Sequence, residues 1–232
     1  MKTCIYFVEK PGFPASAAEL PPGAARLVRG WGFTPEGRWR PQPLPAGAAG
    51  LLLDDRFPPS DRGAAEALRA LDAWEGLILL DLERPPGPGT AALVELIRQL
   101  AGRGPVLPSA WAALPHGAVL IGPRIGGDFP RWLAQQRRHC PAVVLDALPL
   151  RHAAQPRSGT QAALSPPGTG WRPWTGPLPG SGFPCPGVGC LHRRLSDGSV
   201  LLWDTKETLT QRCRAAGVPC LVFREDWERL EP

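Results

Sequence analysis

The chemistry-bearing residues that stand out are Asp81 and Glu83, which close the apolar run Gly76-Leu77-Ile78-Leu79-Leu80 and bracket Leu82. In an extended strand alternate side chains share a face, so the two carboxylates would sit roughly 7 Å apart on one side while Leu82 points to the other. Such a pair suits general acid work. Like-charge repulsion keeps one carboxyl protonated near neutral pH, where it can give its proton to a departing oxygen. The same spacing also describes two solvated acids where a strand runs out into Arg84-Pro85-Pro86-Gly87, and the residues alone leave both readings open.

Holding two acids in this way requires a buried strand with a fixed end. Short apolar runs bounded by turn residues recur at 3–8, 26–32, 50–53, 77–80, 105–107, 118–121, 142–145 and 220–223. Runs that do not alternate fit strands covered on both faces, as in a parallel sheet. They predict an α/β fold, a trimmed (β/α)8 barrel of TIM type forming a single domain over residues 1–232. Between the strands, helical spacing places Leu68 and Leu71 on one face of a helix from about Ser60 to Trp74. Thr90 is the expected N-cap of a second helix, with Leu93, Leu96, Ile97 and Leu100 inward and Gly102 ending it. A third helix starts near Asp128. The fourth opens at Asp204-Thr205-Lys206-Glu207, with Asp204 as the expected cap and Gly217 as the stop.

Other stretches depart from this rhythm. Residues 189–194 and 199–203 flank Leu195-Ser196-Asp197-Gly198 and predict an added β-hairpin before the last helix. Residues 11–23 and 35–47 are rich in Pro and Gly where a full barrel has helices, so the first βα units are expected to be loops. The longer proline-rich segment 151–189, which carries Trp171 and Trp174, reads as a loop over the barrel mouth of the kind retained for binding.

If the strands close in sequence order, their C-terminal ends bring Asp54, Asp55, Asp81, Glu83, Asp146 and Glu225 to one mouth, the end where parallel α/β folds do chemistry. Acids from several strands beside flat indole rings suit a carbohydrate. Cleaving a glycosidic bond needs one carboxylic acid to protonate the leaving oxygen and a second group to stabilise the positive centre. Glu83 is the candidate acid and Asp81 its partner. Asp54, Asp55, Asp146, Trp111, Trp171, Trp174 and Glu225 are the candidate substrate-binding residues, the rings offering faces to a sugar. Trp31 and Trp227 also fall at predicted strand ends.

Composition narrows the alternatives. There are 26 basic against 21 acidic residues, a formal charge of +5, but Lys2, Lys10 and Lys206 are the only lysines and the arginines are scattered. A nucleic-acid partner would call for a basic stripe with interleaved aromatics, so none is expected. No apolar run approaches the roughly 20 residues that span a bilayer, so no membrane partner is expected. The first residues, Met1 to Lys10, are too short in apolar character for a signal peptide, which predicts a cytoplasmic chain with reduced cysteines. Cys185 and Cys190 with His192 have spacing near that of a zinc knuckle, but no fourth ligand follows, and buried apolar thiols are the preferred reading. Gly122-Pro123-Arg124-Ile125-Gly126-Gly127 lacks the dinucleotide spacing, and neither a phosphate loop nor a Gly-x-Ser-x-Gly elbow occurs, so no cofactor is expected. Nothing in the residues sets the oligomeric state.

Residues Gly76 to Glu83 resemble the fourth-strand signature of the chitinase-like glycoside hydrolases of family 18, which ends in Asp-x-Glu. The segments 201–209 and 217–223 look similar to the last helix and strand of that family's peptidoglycan-type members. The resemblance implies that Glu83 is the general acid and that Asp81 orients the substrate's N-acetyl group, itself the nucleophile. The implied substrate is an N-acetylated glycan of chitin or peptidoglycan type. Gly76 and Leu79 stand where the family pattern has two earlier aspartates, Val144-Leu145-Asp146-Ala147 is the nearest match to its Met-x-Tyr-Asp strand, and Tyr6 is the single tyrosine. The alternative is a catalytically inactive barrel that binds a glycan or a protein partner. A hydrolase using the same acids with a metal is a third reading.

Overall fold

The computed structural model describes residues 5–10, 20–40, 42, 47–122, 128–155 and 170–231. The first strands are β1 (Ile5–Glu9), β2 (Ala24–Trp31), β3 (Gly50–Asp54), β4 (Leu77–Asp81), β5 (Val106–Pro108), β6 (Ala118–Ile121) and β7 (Val143–Asp146). They are followed by β8 (Arg151–Ala154), β9 (Arg172–Pro173), β10 (Phe183–Cys185), β11 (Cys190–Arg194), β12 (Val200–Trp203) and β13 (Cys220–Phe223). Eight of them form a closed barrel in the order β1-β13-β7-β6-β5-β4-β3-β2, and a separate five-stranded sheet has the order β10-β11-β12-β8-β9. With helices between the strands this is an α/β barrel of TIM type, and each of the eight apolar runs becomes one of its strands. The chain packs as two compact units, described in turn.

The first unit holds Tyr6–Ile121 with Cys140–Val144. Helix α1 (Asp61–Asp72) starts where the Ser60 hydroxyl accepts the Gly63 N–H at 3.1 Å, and α2 (Ala91–Gln99) follows β4. Their apolar stripes meet the outer faces of β3 and β4: Leu71, Leu93, Leu96 and Ile97 pack with Leu51, Leu53, Ile78, Leu80 and Leu82 in one buried cluster. Each such side chain contributes about 1.5–3 kcal/mol by leaving water. The first turn of α1 lies so close to the preceding loop that a Cβ on Gly63 would stand 1.9 Å from the Gly37 carbonyl oxygen. The Arg103 guanidinium donates to the carbonyls of Leu71 and Asp72, a cation at the end of α1 where such charges are favoured.

Two details of the sequence reading change here. Thr90 closes a 3-10 turn, Pro88–Thr90, with its hydroxyl bonded to Gly87, and makes no side-chain cap to α2. The left-handed residue that stops this segment is Gly104, φ 59°, not Gly102. Between β2 and β3 the described residues contain no helix but a turn closed by the Phe33–Trp39 bridge, whereas most of 11–23 lies outside the described residues.

The second unit holds most of the chain from Leu145 onward together with α3 (Phe129–His139). The segment 151–189 is not a structureless loop where described: β8, β9 and β10 add to the expected β11–β12 hairpin and complete the antiparallel sheet. Residues 156–169 of it lie outside the described set. Helix α4 (Lys206–Ala216) is capped by Thr205 in a reciprocal box with Thr208, ends at Gly217 with φ 62°, and precedes β13 and the short α5 (Arg224–Glu228). Asp204 is therefore not the cap. It is buried and ion-paired to Arg212 at 2.8 Å, accepts the Leu150 N–H at 2.7 Å and takes the Thr208 hydroxyl at 3.1 Å, while Arg212 also donates to the Leu148 carbonyl at 3.0 Å. Among the described residues no helix is long and apolar enough to cross a membrane.

Removing one partner of a dry, fully bonded ion pair strands the other, which costs far more than losing an exposed pair. Asp204→Ala is expected to destabilise the protein by about 3–5 kcal/mol in chemical denaturation. Asp226→Ala, which breaks the exposed pair to Arg229, should cost about 1 kcal/mol or less. Equal effects would show that the Asp204 network carries no special weight.

Candidate active site

The acids are placed by strand register. β3 and β4 pair residue for residue from Gly50–Leu77 to Asp54–Asp81, so Asp54 and Asp81 are direct neighbours across the ladder. Leu51, Leu53, Ile78, Leu80 and Leu82 belong to the cluster under the helices. Alternation therefore turns Leu52 and Asp54, and Leu79, Asp81 and Glu83, to the opposite face. On the neighbouring strand Arg29 pairs in register with Leu52, which sends its side chain out from that same face, and its charge acts on Asp81.

Asp55 leaves the strand next to Asp54 and does something different. It is 3% exposed, and its two carboxylate oxygens each accept one backbone N–H, from Glu83 at 3.0 Å and from Arg84 at 3.1 Å. The Arg84 carbonyl accepts the Trp111 indole N–H at 2.8 Å, and its guanidinium donates to the Arg56 carbonyl at 2.9 Å. The turn that carries Glu83 is thus pinned from three sides. Asp54 is held as well: its Oδ1 accepts the Arg56 N–H at 3.2 Å, and a Cβ on Gly32 would come within 3.1 Å of that oxygen.

The electrostatics single out Asp81. Burial pushes its carboxyl above the ordinary carboxylate range, the negative charges of Glu83, Asp55 and Asp54 add to the shift, and Arg29 opposes it. The sequence reading put this burden on Glu83. The structure moves it to Asp81 because Asp81 sits half-buried at the strand end, whereas Glu83 stands one step beyond, on an exposed lip. Chemically, the site sets the charges of Asp54, Asp55, Glu83 and Arg29 around Asp81, whose carboxyl holds its proton above the ordinary range. Arg29 was not among the sequence candidates. Its one available signal was a charge in the middle of the buried run 26–32.

The remaining candidates are distributed otherwise. Trp111 is fully buried under the turn, so its ring braces Arg84 and presents no face to a sugar; Trp31 and Trp227 are buried too. Asp146, Trp171, Trp174 and Glu225 belong to the second unit. There Asp146 ends β7 opposite Leu221, and Glu225 lies in the first turn of α5. Trp171 packs on a small cluster of Leu150, Val188, Cys190 and Leu202. Trp174 borders a recess of about 450 Å³ that also involves Leu150, Arg151, Trp203 and Arg229. Its indole N–H is taken by the Pro177 carbonyl at 3.1 Å, which fixes the ring at the recess wall. Among the described residues no group of three or more His, Cys, Asp or Glu side chains could hold a metal ion, so Cys185, Cys190 and His192 do not converge as a ligand set.

No protein-family model and no curated protein matches this chain. Among solved structures, the chain is similar to a chitinase from Rhizomucor miehei at 12% identity, with 97% of this chain and 96% of that chain covered and a TM-score of 0.46.

Because the folded state binds the Asp81 proton more tightly than the unfolded chain, stability is highest below the ordinary carboxylate pKa. It falls as pH rises through the raised value. Asp81→Asn removes the buried charge without changing shape. It is expected to raise Tm at neutral pH, by about 2–4 °C for each kcal/mol relieved, and to leave Tm nearly unchanged at about pH 3, where both forms are neutral. A lower Tm at neutral pH would mean that the Asp81 charge is stabilising, contrary to this account.

Proposed function

We propose that the protein is a glycoside hydrolase-like barrel that cleaves an N-acetylated glycan of chitin or peptidoglycan type, with Glu83 as general acid. The observation that carries the reading is the Asp55 clamp: a buried carboxylate spends both oxygens fixing the backbone of Glu83 and Arg84 beside a carboxyl whose proton is held tightly. Burying a charge to hold one exposed turn is costly unless the turn must be placed accurately. Such placement is what proton transfer to a leaving oxygen requires.

In this reading Glu83 gives its proton to the glycosidic oxygen as the bond to the anomeric carbon breaks. Asp81 meets the acetamido N–H and turns the carbonyl oxygen toward the anomeric carbon, where it forms the new bond and offsets the developing positive charge. The charge of Glu83 is the first among those that add to burial in raising the Asp81 carboxyl, so the two groups act on one another at the strand end. The departures from the family signature have local causes. At Gly76 a Cβ would lie 2.5 Å from the Trp74 ring, and Leu79 is fully buried on the inner face. Besides Glu83, the charges acting on Asp81 therefore come from Asp54 and Asp55 at the end of β3 and from Arg29.

The test is hydrolysis of fluorogenic N-acetylglucosamine oligomers by the full chain. Glu83→Gln is expected to lower kcat by about 10²–10⁴-fold with affinity changed only slightly, because the amide keeps the shape and cannot pass a proton. Equal turnover by wild type and variant would remove Glu83 from the role. Binding of the oligomers with no turnover by either would leave the barrel as a glycan binder.

A further inference from the structure

Outside the acid site, the most unusual chemistry lies in the antiparallel sheet of the second unit. Cys185 and Cys190 are direct partners across the β10–β11 pair and close the tight turn Pro186–Gly189. The Cys185 carbonyl accepts the N–H groups of Val188 and Gly189 at 3.1 and 2.7 Å, and the Gly187 carbonyl accepts the Phe129 N–H at 2.7 Å, so α3 holds the turn. Cross-strand partners have Cα atoms about 4.5–5.5 Å apart, inside the range that a disulfide spans without backbone movement. The Cys190 thiol and the N–H groups of Val188 and Gly187 all act on the Cys185 sulfur in favour of its thiolate. Access differs sharply: Cys190 is 2% exposed within the small cluster, and Cys185 is partly open.

We propose that Cys185 and Cys190 form a redox-active dithiol, with Cys185 as the nucleophile toward peroxides and Cys190 as the resolving thiol. The donors around Cys185 favour its thiolate, with the Cys190 S–H first among them and His192 adding to the effect; together they bring the thiol down to about 6. At neutral pH it is therefore largely ionised, and the thiolate is the reactive form. The neighbouring Cys185 sulfur and then burial push Cys190 the other way, which keeps its proton on.

The steps balance with hydrogen peroxide as the oxidant. The Cys185 thiolate attacks one peroxide oxygen, the O–O bond breaks and hydroxide leaves, giving a sulfenic acid. The Cys190 sulfur then attacks the Cys185 sulfur, the S–O bond breaks, and the Cys190 proton leaves with the hydroxyl as water. A disulfide remains across β10 and β11, and a thiol reductant reverses it.

Cys140 is the internal standard, because it is partly exposed like Cys185 and its S–H is given to the Ala142 carbonyl at 3.1 Å. The folded chain is treated with hydrogen peroxide and analysed by peptide mass spectrometry. A Cys185–Cys190 disulfide is expected to form roughly ten-fold faster than Cys140 is oxidised. In Cys190→Ser a sulfenic acid trappable by dimedone should accumulate on Cys185, and in Cys185→Ser the remaining Cys190 should stay reduced. Oxidation of Cys185 no faster than Cys140, or disulfides from Cys185 to other cysteines in preference to Cys190, would overturn the proposal. The serine variants alter single sulfur atoms, and a circular dichroism spectrum matching wild type confirms that they fold. None of these outcomes depends on glycan hydrolysis.

Discussion

The interaction on which the candidate site depends is the pair of hydrogen bonds from Asp55 to the backbone of Glu83 and Arg84. A strand can aim a side chain only up to its last ladder bond; beyond that the chain is free to choose. β4 ends at Asp81, so Glu83 lies past the point where the sheet can position it. Asp55, the residue after β3, extends control across that gap. Because the carboxylate is buried and saturated, moving the turn would leave a charge without partners, at a cost of several kcal/mol. Trp111 closes the arrangement from below by holding the Arg84 carbonyl.

The same register that makes the clamp possible creates the electrostatic tension at Asp81. Pairing Asp54 with Asp81 sets two carboxylates side by side on a half-buried face, and Asp55 and Glu83 add to the field. A protein selected for stability alone would place asparagine or leucine there, as it has at Leu52 and Leu79 one layer below. Stored repulsion of this kind is the usual signature of a site where the protonation state matters. Arg29 moderates it from inside the sheet without neutralising it.

Much of this was legible in the residues. The barrel strands announce themselves because a strand buried on both faces must be apolar at consecutive positions, and the runs at 50–53 and 77–80 could be little else. Alternation then placed Asp81 and Glu83 on one face. Less legible was which acid is structural: Asp54 and Asp55 are adjacent and chemically identical, and only the course of the turn after β4 decides that Asp55 points into it. Trp111 was misjudged for a related reason, since an indole after a strand end looks alike whether its N–H finds solvent or a carbonyl such as that of Arg84. Asp204 resembled a helix cap because caps and buried ion pairs use the same side chain, and its partner Arg212 lies two turns along the helix. The short strands β9 and β10 escaped notice because they are only two and three residues long and contain prolines, which suit only edge positions and strand ends.

The central claim is that Asp81 and Glu83 form one electrostatic unit at the end of β4, and the titration of the Asp81 carboxyl carbon by NMR tests it most directly. The account predicts a midpoint above the ordinary carboxylate range in the wild-type protein, and a lower midpoint in Glu83→Gln, where the charge of Glu83 is gone and burial remains. An ordinary midpoint in the wild type, or one that Glu83→Gln leaves in place, would contradict it.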